Sequence, residues 1–242
     1  MATPRTKKPD QKAVTEVFNR LKALYPDPST ELTYDSPFQL LVSVILSAQC
    51  TDARVNQTTP ELFRNYPTAK DLAAAPQAKV EKLIHACGFF RQKAKSIIST
   101  SKDLVEKFGG QVPGELDALT TLAGVGRKTA SVVLNQAFDV PAIAVDTHVK
   151  RVAHRLGWTQ HTDPEKVEED LKALLPEKWW SSVNGMLILH GRRICNARKP
   201  KCEECPVNAY CAFYQSTAKS PVGAGSAASS RPPRRRSAGS RK

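Results

Sequence analysis

The chain has 242 residues, of which 40% are hydrophobic and 24% charged, and its formal net charge is +13. This length allows one large domain or two modest ones with true hydrophobic cores, and no apolar run approaches the roughly 18 residues that a transmembrane helix needs. The N-terminal residues lack the apolar stretch of a secretory signal and the amphipathic helix of a transit peptide. We therefore expect an intracellular protein with no membrane partner.

Most of the positive charge lies in two tails. The 24 residues from Lys219 carry seven basic residues and no acid, and the first twelve residues carry four basic residues against Asp10. Segments that are rich in Ser, Gly, Ala and Pro and carry one sign of charge are disordered and bind polyanions without specificity. We predict disordered basic tails at residues 1–11 and 219–242, so that specific binding must come from patches in the core.

Helical spacing of apolar residues extends along almost the whole chain. Ser36 followed by Pro37 is the signature of an N-cap and a first-turn proline, and Asp52 and Asp163 are further predicted N-caps. Only residues 142–145 read as a possible strand, which is too short to found a sheet, so the predicted fold class is all-α. The predicted helices span about residues 14–24, 36–49, 52–66, 76–87, 92–108, 115–121, 127–135, 147–157, 164–175 and 180–194.

Two glycines, Gly124 and Gly126, flank Val125 in a tight connection between two predicted helices. Glycine allows left-handed backbone dihedrals, and its missing side chain lets a phosphate approach the backbone. The helix that follows presents unpaired N–H groups and a partial positive charge at its N-terminus. The segment therefore indicates either a phosphate-binding hairpin or an ordinary helix–helix turn. It is not a dinucleotide fingerprint, because no strand precedes it and the third glycine is missing.

Lys128 falls in the first turn of that helix, where the helix dipole disfavours a cation. A partly desolvated lysine at such a position favours the neutral amine that a nucleophile requires. Asp146 ends an apolar run and precedes Thr147, so it is a predicted N-cap of the next helix. Each residue also has a simpler interpretation, Lys128 as a solvated phosphate contact and Asp146 as a plain cap.

Four of the six cysteines fall within 17 residues in the pattern Cys-x6-Cys-x2-Cys-x5-Cys. In a chain without an export signal this pattern predicts a metal site rather than disulfides. Zinc commonly uses two Cys-x-x-Cys knuckles and only one occurs here, so the spacing leaves both zinc and an iron–sulfur cluster open. The surrounding basic residues form either a phosphate-binding finger or a solvated charge run: Arg192, Arg193, Arg198, Lys199 and Lys201.

Taken together, the motifs of residues 14–214 resemble the endonuclease III family of DNA repair glycosylases. Their order and mutual spacing carry the resemblance more than any single motif does. The matching segments are residues 46–49 with 51–52, 122–130, 145–148 and 189–192, and the cysteine spacing.

The resemblance implies two helical domains with the active site in the cleft between them. A six-helix barrel is expected over residues 30–140, with a helix–hairpin–helix at about 115–137. The second domain is expected to combine residues 12–29 and 141–215. It would hold a [4Fe-4S] cluster, which favours iron–sulfur over zinc, and its ligands would be Cys195, Cys202, Cys205 and Cys211.

The resemblance also implies the chemistry. Lys128 matches the family's nucleophile, which attacks C1′ of an extruded nucleotide, and Asp146 matches its essential carboxylate. The resulting Schiff base permits β-elimination of the 3′ phosphate. The implied partner of this monomer is double-stranded DNA containing damaged pyrimidines or abasic sites, in the cytoplasm or nucleoid of a bacterial source. The expected DNA contacts are Gln49 and Phe89, which would fill the gap left by the extruded base, and Gly124, Gly126, Arg127, His148 and Lys199.

Three departures and two alternatives accompany this interpretation. The basic tail after Lys219 is additional to the family pattern, and it could retain the protein on DNA without specificity. Ala123 stands where the family hairpin usually has proline, which should loosen the turn, and Phe89 stands where an aliphatic wedge is common. The adenine glycosylase branch is the nearest alternative, but it typically lacks a lysine at the position of Lys128. A non-catalytic helix–hairpin–helix protein with an iron–sulfur cluster is the alternative of another class, and the Lys128–Asp146 pair argues against it.

Overall fold

A computed structural model describes residues 9–26 and 28–218. The predicted basic tails, apart from residues 9–11, lie outside the described residues. The secondary structure of the described residues is entirely helical, with no strand, which confirms the all-α prediction. None of these helices is long and apolar enough to cross a membrane. The α-helices are α1 Gln11–Leu24, α2 Pro37–Leu46, α3 Asp52–Asn65, α4 Ala69–Ala73, α5 Gln77–Leu83, α6 Phe90–Phe108, α7 Leu116–Thr120, α8 Arg127–Ala137, α9 Thr147–Leu156, α10 Pro164–Leu174, α11 Trp180–Arg193 and α12 Ala212–Ala218.

The ends of the helices follow local capping chemistry. Ser36 caps α2 as predicted, since its side chain accepts a hydrogen bond from the backbone N–H of Gln39 at 3.2 Å. The prediction that Asp52 caps α3 was wrong. Thr51 caps that helix by accepting from the N–H of Arg54, and Asp52 is its first residue. Either residue type caps well, so two adjacent candidates cannot be separated by propensity alone.

Two short helices, α4 and α12, were not predicted. They contain only five and seven residues, too few for a periodic apolar pattern to emerge. A local signal for α4 does exist, because Thr68 and Asp71 form a reciprocal capping box. The helix predicted from residue 76 to 87 is also shorter. It ends at Leu83 and its continuation tightens into a 3₁₀ turn, His85–Cys87, as helix C-termini often do.

In the part of the chain that the structure describes, the buried hydrophobic side chains form two separate clusters. The first draws only on residues between Leu32 and Ala142, and helices α2 to α8 supply it. The second combines α1 and Tyr25 with residues from Ile143 to Val207. Residues of α1 therefore pack in the second cluster, residues 32–142 form the first, and the chain crosses back to the second between Ala142 and Ile143. Each fully buried aliphatic side chain contributes about 1.5–3 kcal/mol of hydrophobic stabilisation.

Polar contacts join the two clusters near the crossing point. Arg127, at the start of α8, donates from Nε and Nη2 to the Glu168 carboxylate of α10 at 2.8 and 3.1 Å. Lys172 pairs with the same carboxylate at 2.6 Å. Burial alone would raise the pKa of Glu168, but the hydrogen bonds from Arg127 and Lys172 outweigh it and lower that pKa. The carboxylate is therefore charged at neutral pH and braces α8 against α10.

The loop before α2 approaches α11 closely at Gly185. A Cβ at this position would overlap the carbonyl oxygen of Pro28. Glycine is therefore required here by packing rather than by backbone dihedrals, since any side chain would push the loop away. This contact fixes one side of the cavity described below.

Candidate active site

The connection between α7 and α8 is a tight turn that needs one of its two glycines for conformational reasons. Gly124 adopts φ of +79°, and a Cβ there would lie 3.3 Å from the Cβ of Ser96. Gly126 has φ of −86°, which any residue can adopt. Its Cβ position has no heavy atom within 4 Å. The left-handed conformation expected of the turn is therefore found at Gly124, whereas Gly126 leaves open space beside the backbone.

The turn is fixed to α6 by hydrogen bonds. Asp103 Oδ2 accepts from the backbone N–H of Ala123 at 2.7 Å, Thr100 Oγ1 donates to the Ala123 carbonyl at 2.6 Å, and Lys107 Nζ donates to the Thr121 carbonyl at 3.3 Å. A proline at position 123 has no N–H and could not make the first of these bonds. The loosening expected from Ala123 is therefore opposed by a hydrogen bond that only a non-proline residue can form.

The N-terminus of α8 has the properties of an anion site. Gly126 caps the helix without a side-chain hydrogen bond, and the first turn contains no acidic residue. The first-turn N–H groups and the helix dipole thus remain available to a negatively charged ligand. The geometry favours the phosphate-binding interpretation of the turn over that of a plain connection.

Lys128 and Asp146 line one cavity of about 250 Å³. Lys128 is the second residue of α8, and its side chain is exposed. The partial desolvation expected for this side chain is therefore not found in the protein without a ligand. Asp146 is half-buried and caps α9 as predicted, because its Oδ1 accepts from the N–H groups of His148 and Val149, both at 2.8 Å. Two side chains that are eighteen positions apart in sequence thus face the same space.

The walls of this cavity come from both hydrophobic clusters. Val44 belongs to the first cluster and Val132 packs against it, whereas Ile188 and Leu189 pack against the second cluster. Arg192 of α11 also lines the cavity. Its guanidinium forms ion pairs with the carboxylates of two other lining residues, Glu31 at 3.3 Å and Asp52 at 3.4 Å.

Asn184 is a lining residue that sequence patterns did not single out. It is buried in α11, and its Oδ1 accepts from the backbone N–H of Ala144 at 3.0 Å. On the other side, Asn135 Nδ2 donates to the Ala142 carbonyl at 3.1 Å. These two amides hold the extended segment that ends at Asp146. No local signal could have identified them, because an isolated asparagine inside a helix has no distinctive pattern.

None of the seven predicted DNA contacts lines this cavity, and Gln49 and Phe89 differ from the other non-glycine contacts in their backbone conformation. Both occur in the left-handed region with φ of 53° and 45°, and both are exposed, Phe89 to 69%. Positive φ in a bulky residue costs on the order of 1–3 kcal/mol and is found mostly at functional positions. Their conformation is consistent with a contact to a partner.

The other predicted contacts occupy different environments. The Arg127 guanidinium is held by Glu168. His148 is half-buried, with Nδ1 3.1 Å from Nη2 of Arg151. Lys199 is exposed on the loop between the first two clustered cysteines.

The four clustered cysteines line a second cavity, together with apolar side chains of α9 such as Val152 and Leu156. Arg155 Nη1 donates to Cys195 Sγ at 3.2 Å, and His190 Nε2 lies 3.6 Å from Cys205 Sγ. Burial, and then the neighbouring thiols, raise the pKa of Cys205 to about 11. Stable thiolates here consequently need a strongly positive ligand.

The four clustered cysteines share one cavity, so they can serve as ligands of one metal group. Among residues 9–26 and 28–218, no three ligand-type side chains converge closely enough to hold a metal ion. The cavity that the four cysteines share nevertheless suits an iron–sulfur cluster.

The sequence matches two family models. Residues 42–177 match the HhH-GPD superfamily of base excision DNA repair proteins. Residues 195–211 match the iron–sulfur binding domain of endonuclease III, and they run from the first to the last of the clustered cysteines. The second match decides in favour of iron–sulfur where the cysteine spacing alone had left zinc open.

Individual relatives agree with the family models. The endonuclease III of Synechocystis sp. is 50% identical over 204 residues, which are 84% of this chain and 93% of that protein. The Escherichia coli endonuclease III is 44% identical over 203 residues, 83% of this chain and 95% of the relative. A solved structure of a trapped endonuclease III–DNA covalent intermediate matches with a TM-score of 0.82 at 40% identity, over 87% of this chain and 99% of that one.

The family resemblance seen in the sequence is thus confirmed over most of the chain, and so is the helical architecture that it implied. The non-catalytic alternative does not agree with these relatives. The chain belongs to the endonuclease III family of HhH-GPD base excision repair proteins, and it is a DNA glycosylase with a [4Fe-4S] cluster.

Proposed function

We propose that this enzyme removes damaged pyrimidines from duplex DNA through Lys128 and then cleaves the strand at the abasic site. The observation that carries the proposal is the shared cavity of Lys128 and Asp146, directly beside a helix N-terminus free to bind a phosphate. A target base inside the stack cannot reach such a cavity, so the nucleotide must be extruded.

The chemistry follows from the two side chains. The neutral amine of Lys128 attacks C1′, the glycosidic bond breaks, and the base leaves with the bonding electrons. Opening of the sugar ring gives a Schiff base, from which loss of a C2′ proton expels the 3′ phosphate. Both cap hydrogen bonds of Asp146 go to Oδ1, which leaves Oδ2 to stabilise the positive charge that develops on the sugar.

The geometry also supports a mode of DNA binding. We propose that the first-turn N–H groups of α8 bind a phosphate next to the extruded nucleotide, so that the backbone is fixed close to Lys128. A related endonuclease III has been solved in a non-covalent complex with DNA at a TM-score of 0.81. We propose that the enzyme acts as a monomer on cellular DNA, in the nucleoid if the source is bacterial.

The two hydrophobic clusters support the proposed division into domains. Apart from Ala142, the first cluster falls within residues 30–140, and the second draws on residues 12–29 and 141–215. Under this division the catalytic cavity lies in the cleft between the domains. Lys128 would come from the barrel domain and Asp146 from the cluster domain, so that a shift between domains would separate the two groups.

We propose that Cys195, Cys202, Cys205 and Cys211 hold the cluster, and that Lys199, on the loop they frame, contacts phosphates. When bound, the cluster would join the segment after α11, through Cys195, to the segment before α12, through Cys211, and it performs no redox step in base excision. The protein should be brown as isolated and contain about four irons per chain. Cys202→Ser should lose most of the iron and of the visible absorbance, whereas Cys50→Ser, outside the site, should keep both. A colourless protein with one zinc ion would contradict the assignment.

The proposed function is tested by borohydride trapping, because borohydride reduces a Schiff base to a stable covalent adduct. We expect adducts with duplexes that contain thymine glycol, 5,6-dihydrouracil or an abasic site, and none with the undamaged duplex. A duplex with adenine opposite guanine tests the adenine glycosylase alternative in parallel. Well-folded protein that forms no adduct with any damaged duplex would overturn the Lys128 mechanism.

A further inference from the structure

Lys93, in the first part of α6, is a buried charge that no step of the proposed mechanism uses. Only 5% of its surface is exposed. Burial of an ammonium group is costly unless hydrogen bonds compensate for the lost water. Lys93 Nζ has such bonds, since it donates to the carbonyl oxygens of Leu46 and Cys87, both at 2.8 Å.

These two carbonyls lie at the ends of different helical segments. Leu46 is the last residue of α2, and Cys87 is the last residue of the 3₁₀ turn His85–Cys87. Carbonyls at helix C-termini lack partners within the helix and carry a partial negative charge. One ammonium group therefore satisfies both ends and joins two segments that are far apart in sequence.

Each joined segment continues into an exposed residue with a strained backbone. Gln49 follows Leu46 by three positions with φ of 53°, and Phe89 follows Cys87 by two positions with φ of 45°. The segments also touch each other through Cys50 and Cys87. Burial raises the pKa of the Cys87 thiol, and the neighbouring Cys50 thiol raises it further. Both residues with strained backbones thus follow segments that buried contacts of Lys93 and Cys87 join together.

We propose that Lys93 is a positioning residue for nucleotide extrusion, which holds the Gln49 and Phe89 segments as one rigid unit so that both side chains enter the duplex together. The inference rests on the proposed function, because it assigns both side chains to the gap left by the extruded nucleotide. Extrusion costs several kcal/mol of lost stacking and pairing. Insertion of the Gln49 and Phe89 side chains offsets this cost. Because the two segments are already held at a fixed separation, no further free energy is spent on ordering two independent loops.

The test is Lys93→Met, which keeps the approximate length and the burial of the side chain but removes both hydrogen bonds. Under single-turnover conditions we expect about a tenfold loss of base excision from a paired dihydrouracil duplex. Trapping on a preformed abasic site, which has no base to unstack, should change by less than about twofold. The ratio of the two rates is the informative quantity, because damage to the fold would lower both rates together.

Lys95→Met is the matched control, because it removes the same charge from an exposed position of the same helix. It should leave the ratio of the rates unchanged. Lys93→Gln, which retains one donor group, should give an intermediate ratio.

An equal loss on both substrates would overturn the inference, and so would failure of both Lys93 variants to fold in thermal unfolding. If the wild-type enzyme itself gives no adduct on either duplex, the proposed function fails and the inference falls with it. That outcome is recognised in the wild-type lane, before any variant is compared.

Discussion

Lys128→Ala is expected to abolish borohydride trapping and to lower strand cleavage at an abasic site by roughly 10³-fold or more, the scale on which enzymes lose activity with their nucleophile. The remaining machinery would be intact, since Asp146 and the α8 N-terminus do not depend on the lysine side chain. Affinity for abasic DNA should therefore fall only a few-fold, by the loss of one charge near the phosphates. The measurements are trapping yield, single-turnover cleavage and binding to the same duplex.

The fold of this variant should be unaffected. Lys128 is exposed on α8, and alanine has the highest intrinsic helix propensity. Lys22→Ala is a matched control, because Lys22 is an exposed lysine in the last turn of α1 and does not line the cavity. If Lys128→Ala still formed an adduct, another amine would be the nucleophile. If trapping returned at saturating DNA, Lys128 would be a phosphate contact only.

Local features of the site could be read from the sequence because their physical causes are local. The turn at Gly124 follows from a glycine in front of a helix, and the cap at Asp146 follows from an aspartate at the end of an apolar run. The placement of Asp146 in the same cavity as Lys128 depends instead on Asn184. Its side chain binds the backbone of Ala144, two residues before Asp146, from 40 positions away along the chain. No spacing rule contains that contact.

The environments of charged residues could not be read from the sequence, because they depend on partners that lie far away along the chain. Arg127 has the charge of a phosphate contact, yet its guanidinium is bound to Glu168, a partner 41 positions away. Contact with DNA would require it to share or leave that partner, and its role toward DNA stays a prediction. Lys93 looks like a surface lysine among the polar residues that open α6. Its burial arises only when the ends of α2 and the 3₁₀ turn pack above it.

Asp146→Asn is expected to lower turnover by about 10²-fold, within the range that a positioned acid–base group contributes, with little loss of affinity for DNA. The substitution separates the two functions of this residue. The asparagine side-chain oxygen can still accept from the N–H groups of His148 and Val149, and asparagine is as good an N-cap as aspartate. The free energy of unfolding should therefore change by less than about 0.5 kcal/mol, so that any loss of turnover reports the missing charge.

Asp146→Ala should lose the same turnover and, in addition, about 1 kcal/mol of stability with the cap. Asp163→Ala supplies the matched control for that second loss. Asp163 caps α10 through hydrogen bonds from the N–H groups of Glu165 and Lys166, both at 3.1 Å, and it does not line the cavity that Lys128 shares with Asp146. It should lose similar stability without losing turnover. Wild-type turnover in Asp146→Asn would reduce Asp146 to a helix cap and leave Lys128 without its proposed carboxylate partner.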